Sequence, residues 1–292
     1  MRSQLRWLQR LTSESRVRRW AVALCALLIA GCGGNSSPPS IDVGAGPDSE
    51  SLVLAHLYAA ALRYHGSAAH VELSTDPMAD LDEADVEVVP GLTGRLLQRF
   101  EPGAVARGDE QVYRAMISAL PEGFAAGDYA QAAADKPAPA VLEATAKKWG
   151  GRDVSTMLGH CDTLTVGAVA GGGSPAVVGT CRLPAVREYP DAAVLFGALR
   201  SGQVEVAWTS TAAPDVPDDV VLLADRTSLI RAENVVPLYR RNELTESQVL
   251  SLNEIAGELD TGALADMLRQ VAKGADPGAV AAAWLADHPL GH

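Results

Sequence analysis

Long apolar runs are scarce in this 292-residue sequence, and the run near its N-terminus, residues 20–30, is short. A helix needs roughly 20 apolar residues to cross the hydrocarbon core, so a permanent membrane helix is disfavoured here. Six arginines precede the run against a single acid, Glu14, which is the charge pattern of an export signal. Residues 1–31 are therefore predicted to be a signal peptide that is removed.

Cysteines are also few, and the second of the four, Cys32, follows the predicted signal directly. The residues before it, Ile-Ala-Gly at 29–31, resemble the bacterial lipobox, in which the cysteine sulfur receives a diacylglycerol. The alternative is ordinary secretion, with Cys32 as an incidental residue. Against it stands the polar, proline-containing stretch Gly33–Ser40, which suits a tether between a lipid and a domain. We expect residues 32–40 to be a lipidated tether that holds the protein on the extracytoplasmic face of the cell membrane.

Only Cys161 and Cys181 then remain in the mature chain, because Cys25 leaves with the signal. Outside the cytoplasm the two are expected to form a disulfide, which contributes about 3 kcal/mol for a loop of about 20 residues. Neither lies in a CxxC pair or beside a histidine, so no metal site, redox centre or cofactor is expected.

Basic residues are scarce as well, since the chain without residues 1–31 has 18 of them against 35 acidic residues. Such a chain lacks the basic patches of a nucleic-acid-binding protein. The six histidines form no HExxH motif, and no serine occupies a nucleophile elbow, which disfavours a hydrolase. We therefore expect neither nucleic-acid binding nor an enzyme.

What the sequence does contain is an alternation of strand and helix patterns, which is typical of an α/β fold with a mostly parallel sheet. Ile41–Gly44 is predicted to be a buried strand, and Ser49–Tyr64 a helix capped by Asp48 or Ser49. The turn between them is either a tight loop or a helix N-terminus that holds an anionic group. A further helix is predicted over Ala138–Trp149. Other strands are predicted at 70–74, 85–89, 163–169, 204–208 and 219–223, an extended segment at 232–239, and helices at 191–201, 245–252, 261–271 and 277–286.

Three stretches of the mature chain resemble the substrate-binding proteins of the quaternary-amine ABC importers, which take up glycine betaine, choline and carnitine. The first stretch, Ile41–Tyr58, is similar to the family's opening strand, turn and helix. The second, Asp85–Gly94, resembles its acidic strand ending in a Pro-Glu-Tyr-Thr-Gly element. The third, Leu199–Thr211 with the segments that follow it, is similar to the family's return strand and C-terminal lobe.

The resemblance implies the two-lobed periplasmic-binding-protein fold of the two-crossover type (type II), with a ligand cleft between the lobes. Residues 41–98 and 209–292 would form lobe 1 and residues 99–208 lobe 2, with crossings near Leu97 and Trp208. It also implies a protein that closes on a small osmolyte-like or quaternary-amine-like solute and delivers it to an ABC permease in the membrane. We further expect the protein to be monomeric. The alternative is an envelope lipoprotein that keeps this fold as a scaffold or assembly factor without transport.

The predicted ligand site lies at the carboxyl ends of strands and the first turns of helices, which an open α/β sheet brings together. Two positions depart from the family, since Leu92 replaces an aromatic residue and Ala212 an aspartate. A single tryptophan is well short of an aromatic cage, so we expect a solute with a carboxylate or hydroxyl and weak or no binding of quaternary amines. Trp208 itself is either part of the cleft wall or part of the core. The residues expected to line the cleft are Ser49, Thr93, Trp208, Ser210, Thr211 and Asn234.

Overall fold

Two five-stranded sheets form the framework of the computed structural model, which describes residues 40–291. The predicted signal peptide, Cys32 and all but the last residue of the tether lie outside these residues. The described residues belong to one compact unit. Within them, no helix combines the length and the apolarity that crossing a bilayer requires.

Strands and helices alternate along most of the chain. The strands are β1 (Ile41–Ala45), β2 (Ala69–Leu73), β3 (Val88–Leu92), β4 (Phe124–Ala126), β5 (Pro137–Leu142), β6 (Val166–Val169), β7 (Val177–Val178), β8 (Cys181–Arg182), β9 (Arg187–Tyr189), β10 (Val206–Ser210), β11 (Val220–Leu222) and β12 (Val235–Arg240). The helices are α1 (Ser49–Tyr64), α2 (Pro77–Glu83), α3 (Thr93–Phe100), α4 (Asp109–Ala119), α5 (Glu143–Trp149), α6 (Val154–Leu158), α7 (Ala192–Arg200), α8 (Glu246–Glu258), α9 (Thr261–Ala272) and α10 (Pro277–Asp287).

The first sheet has the strand order β2-β1-β3-β12-β4 and the second β11-β5-β10-β6-β9. Both are mixed, whereas the sequence predicted a mostly parallel sheet. In the first, β1 is parallel to β2 and β3, while β12 is antiparallel to β3 and β4. In the second, β10 is parallel to β6 but antiparallel to β5. Strands β5 and β12 each follow a segment that crosses from the other sheet, so no helical crossover forces them to be parallel to their neighbours.

The predicted helix Ser49–Tyr64 is confirmed as α1, which covers one face of the first sheet. Nine of its residues are buried, all within the segment 53–62, and α10 packs along it. Asp48 is the N-cap, because its Oδ1 accepts a hydrogen bond of 2.9 Å from the Ser51 amide. Strand β1 and this cap together place Glu50, in the first turn of α1, at the carboxyl end of the sheet.

The predicted helix Ala138–Trp149 is wrong over its first half. Pro137–Leu142 is strand β5, and only Glu143–Trp149 is helical. Ala138 and Ala140 are buried in the middle of the second sheet, where strand pairing satisfies the backbone. Proline at 139 would also remove a hydrogen bond from a helix interior. The predicted strand at 85–89 begins instead at Val88 and continues through Pro90 to Leu92.

The chain passes between the sheets twice, and we name these segments the first crossing (residues 127–136) and the second crossing (residues 223–234). Strand β4 still belongs to the first sheet and β11 still belongs to the second. The crossings therefore come later in the chain than the boundaries predicted at residues 98 and 208. For the first crossing, the reason is that β4 has only three residues, too few to show a strand periodicity in the sequence.

The predicted disulfide is confirmed. Cys161 and Cys181 are joined with a Cα–Cα distance of 5.7 Å, within the usual range for such a bond. The bond links the 3₁₀ turn Cys161–Thr163 to the hairpin of β7 and β8. It therefore fixes a part of the second lobe that has little regular structure.

Candidate functional site

A cavity of about 690 Å³ lies between the two sheets, where the crossings approach the second sheet. We name it the cleft cavity. Arg95 of α3 lines it from one side, and Trp208 and Ser210 of β10 line it from the other. Asp135 of the first crossing and Glu233 of the second complete its polar wall. Its position between the sheets is the one that the family resemblance implies for a ligand cleft.

The two crossings pair with each other beside the cleft cavity. The Asp135 amide donates to the Glu233 carbonyl at 2.9 Å, and the Val235 amide donates to the Ala133 carbonyl at 3.1 Å. An isolated bridge between Ala134 and Asn234 continues the pairing. We name this pair of segments the hinge, because it is the place where both connections between the sheets run side by side.

Thr93 and Asn234, both predicted to line the cleft, are instead buried against each other, Asn234 in the second crossing and Thr93 at the start of α3. The Thr93 amide donates to the Asn234 carbonyl at 2.9 Å, and the Thr93 hydroxyl accepts from the Asn234 amide at 3.0 Å. The Asn234 side chain donates to the Ala130 carbonyl at 2.9 Å. The hydrogen bonds of these polar groups hold the start of α3 against the second crossing, and neither residue lines the cleft cavity.

Thr211 and Ser49 do not line the cleft cavity either. The Thr211 hydroxyl donates to the Ala134 carbonyl at 2.7 Å and accepts from the Lys136 amide at 3.1 Å. Ser49 is exposed at the start of α1. Thr211 therefore stabilises the first crossing, and of the six residues predicted from the sequence the structure brings Trp208 and Ser210 together in the cavity wall.

Trp208 has both of the roles that the sequence left open. It lines the cleft cavity, yet its side chain is only 2% exposed and packs with Val166 and Met157 in the core of the second lobe. Its indole Nε1 is buried and has no hydrogen-bond partner among the described residues. The residue is therefore a core side chain with one face at the cavity.

Four charged side chains that the sequence did not single out meet beside the hinge. We name Glu50, Arg95, Asp135 and Glu233 the hinge cluster. The Arg95 guanidinium donates to Glu50 at 2.9 Å and lies 3.9 Å from an Asp135 oxygen. The other Asp135 oxygen accepts a bond of 2.9 Å from the Ala212 amide. The cluster thus connects α1 and α3 to the first crossing and to the segment after β10.

Burial is the main cause that raises the pKa of Glu50 to about 8, and the neighbouring Asp135 carboxylate raises it further. Arg95 opposes this shift without cancelling it. One carboxyl oxygen of Glu50 is buried and has no hydrogen-bond partner among the described residues. The raised pKa favours the protonated form of Glu50 at neutral pH, because a charge there would be poorly solvated and next to another carboxylate.

Glu233 occupies the N-terminus of α3, which has no side-chain cap of its own. Its carboxylate accepts from the Arg95 amide at 2.7 Å. Burial raises its pKa to about 7, although the hydrogen bond from Arg95 favours the charged form. The second crossing approaches this helix so closely that a Cβ on Gly94 would lie 2.4 Å from the Ala232 carbonyl oxygen. Glycine at 94 is what allows the carboxylate to reach the helix.

One further group of polar side chains has the residue types of a metal site. Asp42 of β1 and Glu72 of β2 lie 3.0 and 3.1 Å from Nε2 of His70. The side chains are 30% to 53% exposed. Contacts between a histidine and two carboxylates are also common at protein surfaces without a metal ion. We assign it no ligand.

Comparison with known proteins agrees with this architecture. Residues 186–287 match the family model described as the substrate binding domain of ABC-type glycine betaine transport systems. The resemblance predicted from the sequence is confirmed. The matched family is one of substrate-binding domains and not an enzyme class. No curated protein matches the chain.

Solved structures extend the likeness to the whole fold. A glycine betaine/carnitine/choline ABC transporter structure has a TM-score of 0.72 at 16% identity, covering 85% of this chain and 98% of its own. Apo YehZ from Escherichia coli has a TM-score of 0.69 at 19% identity, covering 87% and 99%. An ABC-transporter choline-binding protein in complex with choline has a TM-score of 0.54 at 18% identity, covering 86% and 89%. The chain therefore has the two-lobed periplasmic-binding-protein fold.

Proposed function

We propose that this protein is the extracytoplasmic solute receptor of an ABC importer. It binds a small osmolyte-like or quaternary-amine-like solute in the cleft cavity, closes its lobes on it and presents it to a membrane permease. The observation that carries the proposal is the cleft cavity itself, because it lies between the sheets and is bordered by both crossings. A volume of about 690 Å³ is of the size that holds small molecules.

Closure requires that the solute bind the closed form more tightly than the open form. The hinge supports such a movement, because two short paired segments carry both connections between the sheets. Hinge motions of this kind are absorbed by a few residues while the packed lobes move as units.

Small-angle X-ray scattering of the full-length chain tests the proposal. We expect the radius of gyration to fall when a solute from a panel of glycine betaine, choline, carnitine and simple amines is added. A radius that stays constant with a solute shown to bind by calorimetry would contradict closure. A panel in which nothing binds would contradict the receptor function for these solute classes.

The second part of the proposal is that the receptor is held at the membrane by lipid on Cys32. The supports are the arginine-rich start, the short apolar run and the lipobox-like residues before Cys32. In a bacterial host, a Cys32→Ser variant should be released from the membrane fraction or retain its leader, whereas the wild type should remain with membranes after cleavage. Membrane retention of a cleaved Cys32→Ser variant would contradict the anchor.

A further inference from the structure

The charges that line the cleft cavity are mainly negative. Among residues 40–291, three acidic residues, Asp135, Asp215 and Glu233, share the wall with a single basic residue, Arg95. Asp215 is exposed on the connection from β10 to β11. A wall with this balance favours a cationic solute, because clefts lined by one sign of charge concentrate the opposite sign.

Arg95 lines the cavity with a side chain that is 61% exposed, but its guanidinium already interacts with neighbouring carboxyl groups. Its guanidinium donates to Glu50 and lies close to Asp135. An anion that bound Arg95 would have to compete with the Asp135 carboxylate and with the hydrogen bond to Glu50. Arg107 and Arg231 line an adjoining cavity of about 490 Å³ that does not include Trp208. The Arg231 guanidinium is itself committed to Gln98 and to two backbone carbonyls.

The chemistry of the wall also separates one kind of cation from another. A quaternary ammonium has no N–H donor and is held chiefly by aromatic faces. The cavity wall offers one aromatic residue, Trp208, and three carboxylates. Carboxylates accept hydrogen bonds and form their strongest contacts with ammonium and guanidinium donors.

Three members of the hinge cluster, Arg95, Asp135 and Glu233, also line the cleft cavity, whereas Glu50 does not. Glu50 lies beside Asp135, with which a protonated Glu50 can form a hydrogen bond, and it accepts a hydrogen bond from Arg95. A cation bound near these carboxyl groups would favour their charged forms and so expel a proton from Glu50. Proton release therefore reports whether a bound cation reaches this cluster.

We infer that the solute is a protic organic cation, a primary amine or a guanidinium compound, held by the carboxylates of the cleft cavity rather than by an aromatic cage. This inference rests on the proposed receptor function, and it assigns the receptor protic cations in place of quaternary amines. Asp215 contacts the cation at the cavity rim, and Asp135 binds it at the hinge.

Isothermal titration calorimetry of the full-length chain in mild detergent tests the inference, with agmatine, putrescine, choline, glycine betaine and succinate as probes. We expect agmatine or putrescine to bind at least tenfold more tightly than choline or glycine betaine. At pH 7 the apparent enthalpy should change between buffers of different ionisation enthalpy, because binding expels a proton.

Two variants of equal charge provide the control. Asp215→Asn should weaken amine binding roughly tenfold, since it removes a charged acceptor from the cavity wall. Asp218→Asn removes the same charge from an exposed position that is not part of that wall, and it should leave the affinity unchanged. Equal losses in both variants would indicate a general field effect and would overturn the assignment of Asp215.

The remaining outcomes distinguish a failure of the inferred solute class from a failure of the proposed receptor function. Tighter binding of choline or glycine betaine than of the amines would overturn the inference and leave the receptor function standing. Binding of succinate in preference to every cation would do the same. Failure of all five probes to bind would overturn both.

Discussion

Replacing Glu50 with glutamine removes a buried carboxyl group while keeping its size and its ability to accept a hydrogen bond from Arg95. In the wild type, the pKa of Glu50 is raised from 4.5 to about 8, mainly by burial. Below pH 4.5 the group is protonated whether the chain is folded or not. Between pH 4.5 and 8 the unfolded chain releases this proton while the folded chain keeps it, so Glu50 lowers the stability as the pH rises.

The magnitude follows from the size of the shift. At about 1.4 kcal/mol for each pKa unit, the change from 4.5 to about 8 corresponds to a loss of up to about 5 kcal/mol by pH 8. Glu50→Gln cannot ionise and does not suffer this loss. We expect the variant and the wild type to have similar free energies of unfolding at pH 4.5, and the variant to be more stable by about 3 to 5 kcal/mol at pH 8.

Urea unfolding followed by far-ultraviolet circular dichroism at several pH values between 4.5 and 8 measures this difference. The matched control is Glu83→Gln, at the exposed C-terminal end of α2, which should follow the wild type at every pH. A difference between Glu50→Gln and the wild type that is the same at pH 4.5 and pH 8 would refute the reasoning. It would mean that Glu50 is ionised in the folded protein.

Three further predictions concern stability. A double variant with serine at 161 and 181 should lose about 3 kcal/mol of unfolding free energy. Dithiothreitol should destabilise the wild type but not this variant. An unchanged urea midpoint in the double variant would contradict the stabilising role of the disulfide. Gly94→Ala should lower the unfolding free energy by about 1 to 3 kcal/mol, because its Cβ would lie 2.4 Å from the Ala232 carbonyl oxygen. The control Gly103→Ala, whose Cβ would have no atom within 4 Å, should leave the unfolding free energy nearly unchanged. Equal effects of the two substitutions would show that the second crossing moves away easily. Trp208→Ala should lower the unfolding free energy by about 3 to 5 kcal/mol, and it should also lower the affinity for solute. A loss of affinity without a loss of stability would show that the indole is not part of the core.

The sequence predicts best those elements whose pattern is local. Helix α1 has a regular apolar stripe, an acidic cap at Asp48 and a strand before it, and all three signals agree with the structure. Strand β5 has a weaker local signal, which is the pair of prolines at 137 and 139 that disfavours a helix. Its alanines and its valine fit a helix or a strand equally well, and its place in the middle of the second sheet is decided by pairing with β10, far along the chain.

The candidate site was harder to predict because its charged residues are far apart in sequence. Arg95 and Glu233 are separated by 138 positions, and Arg95 and Glu50 by 45. An isolated acid in a sequence is most simply interpreted as a solvated residue. Only the pairing of the two crossings brings Asp135 and Glu233 together and buries them, and the sequence placed both crossings too early.

Two of the hydroxyl residues predicted for the site lie where the sequence placed them, but they have a different role. Thr93 and Thr211 lie at strand ends, as expected, but strand ends beside a hinge also carry backbone donors and acceptors that need partners. The threonine hydroxyls satisfy these groups. A residue at the carboxyl end of a strand is therefore a candidate for the hinge as much as for the ligand.

The central claim is that solute binds in the cleft cavity between the sheets. It is tested most directly by thermal unfolding of the wild type and of Ser210→Trp, whose new indole would fill the cavity from β10, across the panel of amines, choline, glycine betaine and carnitine. A solute present at 100 times its dissociation constant should stabilise the wild type by about 2.7 kcal/mol and leave the filled variant unchanged. Equal stabilisation of both proteins, or none in the wild type with any solute, would contradict the claim.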